Sequence, residues 1–241
     1  MSKVIVITGA SKGLGRALAL HFAAGKHRLA LCARGEKELA AVAKEAAAFG
    51  AEVLTCVADA SIQKDVERFI ALVESRFERI DVLINNASIL GPSPMPFLTD
   101  YPAADFEQVL RVNCLGPFLV TRRVLPGMLG RNAGSVIHVS SEAGNTGYPG
   151  WGAYGVSKFA LEGLSEIWSA ELAETGVRLN WVDPGEMNTD MHRLAVPDCD
   201  YALADPKDVI PVFDFLASDA SASVKGKRFV AQEFELAKAL A

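Results

Sequence analysis

Scarcities in this 241-residue chain narrow its function first. It holds four cysteines, Cys32, Cys56, Cys114 and Cys199, widely spaced and without a CxxC pair. That argues against a disulfide framework or a thiolate metal site, and fits buried free thiols in a reducing cytosol. The four histidines, His21, His27, His138 and His192, show no ligand spacing, so no metal is expected. There is no long basic block, and the formal net charge is -5, which speaks against nucleic acid or an anionic membrane as partner. No apolar run is long enough to span a bilayer. The start lacks the charged, apolar and small-residue succession of a secretory signal, so a cytoplasmic protein is the expectation. Low-complexity linkers and internal repeats are absent too. One domain over residues 1–241 is therefore expected.

What is present is an alternation. Half of the residues are apolar, enough for a sizeable core. Short strand-like runs recur as "VIVI", "RLALC", "EVLTC", "DVLIN", "SVIHV", "VRLNWV" and, more weakly, "KRFVA". Helical patterns separate most of them. From Ser61 to Phe77 the residues Val66, Phe69, Ile70, Val73 and Phe77 share one helical face, and Leu161, Leu164, Trp168 and Leu172 do so further on. Strand and helix in turn predict parallel strands joined by right-handed crossovers. The expected fold is α/β: a doubly wound, Rossmann-like parallel sheet of about seven strands with helices on both faces.

In such a sheet ligands bind beyond the carboxyl ends of the strands. The first of those ends is "TGASKGLG", Thr8 to Gly15, between a β-branched run and the helix-like "RALALHFAA". Glycines there permit a tight turn and let a phosphate approach the backbone at a helix start. Farther along, Tyr154 and Lys158 stand four apart, on one face of a helix. An ammonium beside a phenol stabilises the phenolate, so the pair is expected to lower the tyrosine pKa and make a tuned proton donor. On "DFEQVLRVNCLGPF" the amide of Asn113 falls within an apolar stripe with Phe106, Leu110 and Pro117. Pro117 has no N–H for the Asn113 carbonyl four residues back, which leaves that carbonyl free to hold something else. A simple Gly-Pro kink would free it too.

With Gly9, Gly13 and Gly15 so spaced, the chain resembles the short-chain dehydrogenase/reductase family, whose compact members carry TGxxxGxG. "NNA" at Asn85–Ala87, "VN" at Val112–Asn113, "SS" at Ser140–Ser141, "YGVSK" at Tyr154–Lys158 and "PGEMNT" at Pro184–Thr189 follow in the family's order and spacing. The resemblance implies hydride transfer between a nicotinamide cofactor and a carbonyl or secondary alcohol, with Asn113, Ser141, Tyr154 and Lys158 catalytic. It implies a cofactor site of Gly9, Ser11, Lys12, Gly13, Leu14 and Gly15 in the turn, with Arg34, Asp59, Asn86 and Ala87. Tyr154, Lys158, Pro184, Gly185 and Thr189 complete it. Thr189 would orient the carboxamide, and the carbonyl of Asn113 would hold a water. Asp59 reads either as an adenine contact or as a helix N-terminal cap.

The second strand bears on the cofactor. It ends in Ala33, where NAD-preferring members usually have Asp, followed by Arg34. A carboxylate would repel a 2′-phosphate and a guanidinium would attract it. Lys12 resembles the second basic residue of NADP-preferring members, so NADP(H) is expected over NAD(H), with Glu36 the residue able to oppose it. Ser88 replaces the usual glycine after "NNA". Residues 186–206 correspond to a short substrate lid, and Glu142, Trp151, Glu186, Met187 and His192 are the candidate substrate residues. The two glutamates suit a polar or cationic substrate if they face the pocket. A homodimer or homotetramer is implied by resemblance. An NADP(H)-sensing binding protein on the same scaffold is the alternative function.

Overall fold

A computed structural model describes residues 2–239. Seven strands form one parallel sheet: β1 (Val4–Thr8), β2 (Arg28–Ala33), β3 (Val53–Val57), β4 (Val82–Asn85), β5 (Gly134–Val139), β6 (Val177–Asp183) and β7 (Arg228–Val230). Their order is β3-β2-β1-β4-β5-β6-β7, so the chain builds outward from β1 to β3, returns beside β1, and builds outward again to β7. The return puts the topological switch point between β1 and β4, where a crevice opens at the carboxyl ends. The Rossmann-like doubly wound sheet expected from the alternation is the architecture observed.

The connecting helices are α1 (Gly13–Ala24), α2 (Glu36–Ala48), α3 (Gln63–Phe77), α4 (Ala103–Leu110), α5 (Gly116–Gly130), α6 (Gly152–Glu171), α7 (Asp190–Ala195) and α8 (Ile210–Ala217). β1 shows why both faces must be covered. Every residue of "VIVIT" is buried, and alternate side chains go to opposite layers. Ile5 and Ile7 join Leu18, Phe22, Leu39 and Phe213 on the face covered by α1, α2 and α8. Val4 and Val6 join Phe69, Ile70, Leu119 and Val124 on the face covered by α3 and α5.

One expected element is altered. Instead of a continuous α-helix through Asn113, the backbone between α4 and α5 widens into a π turn over Arg111–Leu115, where the Gly116 N–H reaches the Arg111 carbonyl. Pro117 lies just beyond it, and without an N–H it cannot continue the i→i+4 ladder, so the register changes there.

Candidate active site

The glycine turn is shaped by steric necessity at two positions. Gly9 has φ +66°, and a Cβ on it would lie 2.7 Å from the Ala87 Cα. A Cβ on Gly15 would overlap the Gly9 carbonyl and stand 2.5 Å from Asn86 Nδ2, so α1 sits against β1 only because that Cβ is missing. Thr8 and Asn86 lock the turn: Thr8 Oγ1 accepts from the Asn86 and Ala87 N–H groups, and Asn86 Nδ2 donates to the Thr8 and Gly9 carbonyls at 3.0 Å. At Lys12 the helix begins without a side-chain cap, so its first amides face the crevice with their partial positive charge. These features fit the pyrophosphate of a dinucleotide.

The crevice has a volume of about 910 Å³, and Gly9, Ser11, Lys12, Gly13 and Leu14 line one end of it. Arg34 and Asp59 line the same end, while Asn86, Ala87, Pro184, Gly185 and Thr189 lie along its length. Gly15 acts instead by packing. Two expectations are refined here. Glu36 does not line the crevice; Glu38, two residues on in α2, does, with Oε2 at 2.6 Å from where a Gly35 Cβ would be. Asp59 is not the helix cap: Ile62 precedes α3 and no side chain caps it, while Asp59 Oδ1 accepts from Ser61 N and Oγ at 2.9 and 2.7 Å in the turn before the helix, and the residue lines the crevice. Thr189 caps α7, accepting from His192 N. Ser88 also lines the crevice, its Oγ buried without a protein partner.

At the other end β5 delivers Ser141, and α6 delivers Tyr154 and Lys158. Lys158 Nζ donates to the Val139 carbonyl at 2.9 Å and stands 5.4 Å from the centre of the Tyr154 ring. The expected lowering of the tyrosine pKa does not occur. Burial pushes Tyr154 up to about 12, outweighing the hydrogen-bonding influence of Ser141. Burial likewise pushes Lys158 down to about 8, against the pull of Asp183 and Glu162. With its ammonium on the Val139 carbonyl, Lys158 favours the charged phenolate less than desolvation disfavours it. Asn113 is buried but does not line the crevice. Its amide clamps Ile89 from both sides, accepting from Ile89 N and donating to Ile89 O, each at 2.8 Å, with a further bond to Ser157 Oγ. The site thus needs an asparagine there for a reason beyond a kink.

The five candidate substrate residues, Glu142, Trp151, Glu186, Met187 and His192, all line this end. Both glutamates are already engaged: Tyr148 Oη donates to Glu142 at 2.6 Å, and Glu186 Oε1 pairs with Tyr201 Oη at 2.7 Å and His192 Nε2 at 3.2 Å. Residues 186–206, the expected lid, contain α7, and an isolated bridge joins Met187 to Ala204.

Sequence reasoning passed over Glu38, Glu162, Asp183 and Arg228. Glu162 had a legible signal, since it continues the four-residue spacing of Tyr154 and Lys158. Arg228 had none, because only the strand order brings β7 beside β6.

The family model for short chain dehydrogenases matches residues 3–200. The chain is 38% identical over 192 residues to 2-(R)-hydroxypropyl-CoM dehydrogenase of Xanthobacter autotrophicus, spanning 79% of this chain and 77% of that protein. Among solved structures, a short-chain dehydrogenase of Shigella flexneri 2a complexed with NADP superposes with a TM-score of 0.88 at 29% identity, covering 95% of this chain and 97% of the other. NAD+-bound xylitol dehydrogenase does so with a TM-score of 0.86 at 27% identity, covering 95% and 96%. With its glycine turn, its sheet order and its paired Tyr154 and Lys158 at the crevice, the chain belongs to the short-chain dehydrogenase/reductase family of oxidoreductases.

Proposed function

We propose that the protein transfers a hydride between NADP(H) and the carbonyl or secondary-alcohol carbon of a small molecule. The observation that carries this reading is that Ser141, Tyr154 and Lys158 share one crevice with Lys12 and Arg34, at its opposite end. When bound, the nicotinamide supplies or accepts the hydride. The chain's own residues manage the proton and the oxygen. Ser141 Oγ holds the substrate oxygen, and Tyr154 Oη gives its proton to the alkoxide as charge develops there. A phenol at about 12 is fully protonated at neutral pH, which suits it to the reductive direction. Lys158, positively charged below about 8, offsets the charge left on the tyrosine. The Asn113 backbone carbonyl holds a water that feeds Lys158.

For the cofactor, similar structures include both NADP and NAD+ complexes, so the choice rests on this chain's residues. Lys12 and Arg34 attract a 2′-phosphate, Ala33 removes the competing carboxylate, and Glu38 opposes them. Pairing into a homodimer or homotetramer through the helices that carry Asn113 and Tyr154 is part of the same proposal. The exposed stripe of Val156, Phe159 and Ile167 on α6 offers the apolar surface for it.

The test is consumption of NADPH and NADH by the purified protein over a panel of ketones, aldehydes, diketones, quinones, sugars, steroids and 3-oxoacyl thioesters, beside Tyr154→Phe. Turnover that is faster with NADPH, and reduced roughly 100-fold or more by the substitution, is expected. Full activity in Tyr154→Phe would sink the proposal. Tight NADPH binding with no turnover would favour a cofactor sensor.

A further inference from the structure

Beneath the reacting centre lies a largely buried ionic network that the chemistry above does not use: Glu162 and Asp183 are buried and Arg228 is half-buried. Arg228, on edge strand β7, reaches three places at once. Its Nε donates to both oxygens of Glu162 at 3.1 and 3.2 Å. Its Nη2 donates to Asp183 Oδ2 and to the backbone carbonyl of Ser141, each at 3.1 Å. The carboxylates it joins are themselves engaged. Glu162 accepts from Ser140 Oγ at 2.6 Å and from Trp181 Nε1 at 3.2 Å. Asp183 Oδ1 accepts from the Gly185 N–H at 2.9 Å. The turn after Ser141 also presses on this network, because a Cβ on Gly144 would stand 2.5 Å from Glu162 Oε1 and 2.6 Å from Ser140 Oγ.

Resting on the proposed function, we infer that Arg228 is a positioning residue for hydride transfer. It ties Ser141, on one side of the reacting centre, and the Asp183–Gly185 turn, on the other, to the helix that carries Tyr154 and Lys158. The geometry argues for this over simple stabilisation. Tyr154, Lys158 and Glu162 follow one another at four-residue intervals on α6, so fixing Glu162 fixes the rotation of that helix face toward Ser141. Pro184 and Gly185 line the crevice, and their approach is set by Asp183. A guanidinium can join all of these because it is a rigid planar fork, whereas an ammonium presents one centre. Stability alone gives weak reason for such a network, since buried ion pairs are often matched by well-packed apolar residues. Arg228 also lies outside the residues 3–200 matched by the family model, so its link to Ser141 is drawn from this chain's own contacts.

The experiment compares the wild type with Arg228→Met and Arg228→Lys. It measures thermal unfolding, NADPH binding by fluorescence, kcat and KM, the primary isotope effect with NADPH deuterated at the transferred position, and amide hydrogen exchange of the cofactor-free protein. For Arg228→Met we expect kcat to fall roughly 10- to 100-fold, the scale set by about 1 Å of misplacement, with the KM for NADPH changed by less than about threefold. The isotope effect should rise as hydride transfer becomes slower. Exchange should quicken in residues 140–146 and 183–187 but not in the glycine turn. Arg228→Lys, which keeps the charge and guards against a folding failure, should show the same changes more mildly. A folded variant with wild-type kcat, isotope effect and exchange would overturn the inference. So would a loss of kcat that merely tracks the unfolded fraction. If the wild type reduces no carbonyl in the panel, the proposed activity fails instead, and the exchange data still decide whether Arg228 ties these segments together.

Discussion

Replacing Lys158 with methionine separates what this residue does for chemistry from what it costs the fold. Lys158 is 2% exposed, and burial takes its pKa from 10.5 to about 8. Between those values the unfolded chain binds the proton more tightly than the native one, so the native lysine is destabilising when charged. Each pH unit of that gap is worth about 1.4 kcal/mol, so the wild type carries a cost of about 3 kcal/mol at pH 7. As pH rises through 8 toward 10.5 the native lysine loses its proton first, and the cost shrinks to about 1 kcal/mol by pH 10. Lys158→Met removes this dependence. It also removes the donor to the Val139 carbonyl, a loss of about 1–3 kcal/mol that is the same at every pH. The observable is therefore a slope. Urea unfolding of both proteins at pH 7, 8, 9 and 10 should show the wild type gaining about 2–3 kcal/mol on the variant across the series, while the variant loses turnover. Parallel stability curves would refute the reasoning, because they would mean that burial does not penalise the ammonium.

Two further predictions concern the cofactor end. Gly15→Ala forces a Cβ against the Gly9 carbonyl and Asn86 Nδ2, so chemical denaturation should show a loss of about 1–3 kcal/mol; a variant as stable as the wild type would mean that α1 is not held so close. Arg34→Asp should weaken NADPH binding more than NADH binding, and Glu38→Gln should strengthen NADPH more than NADH, both read by titration of intrinsic fluorescence. Equal effects on the two cofactors in either variant would remove that residue from the selection.

The features legible in the order of residues are those that depend on neighbours along the chain. The strands were legible because most are short apolar runs, often rich in Val and Ile, as parallel strands buried on both faces tend to be. The glycine turn was legible because a positive φ at Gly9 and a missing Cβ at Gly15 leave few residue types that fit. The four-residue spacing puts Tyr154 and Lys158 on one helical face whatever that helix packs against. Packing governs what depends on distance through space. It selected Glu38 over Glu36, since the rotation of α2 is set by Leu39 and Val42 packing against the sheet. It turned the Tyr154 pKa upward, since desolvation sums over everything that surrounds the ring and not over one neighbour on the helix. It placed Arg228 beside Ser141, 87 residues away, because the strand order puts β7 against β6 and β6 against β5. Local pattern fixes which elements form and what each can present; only their packing determines which charges meet, and with what solvent between them.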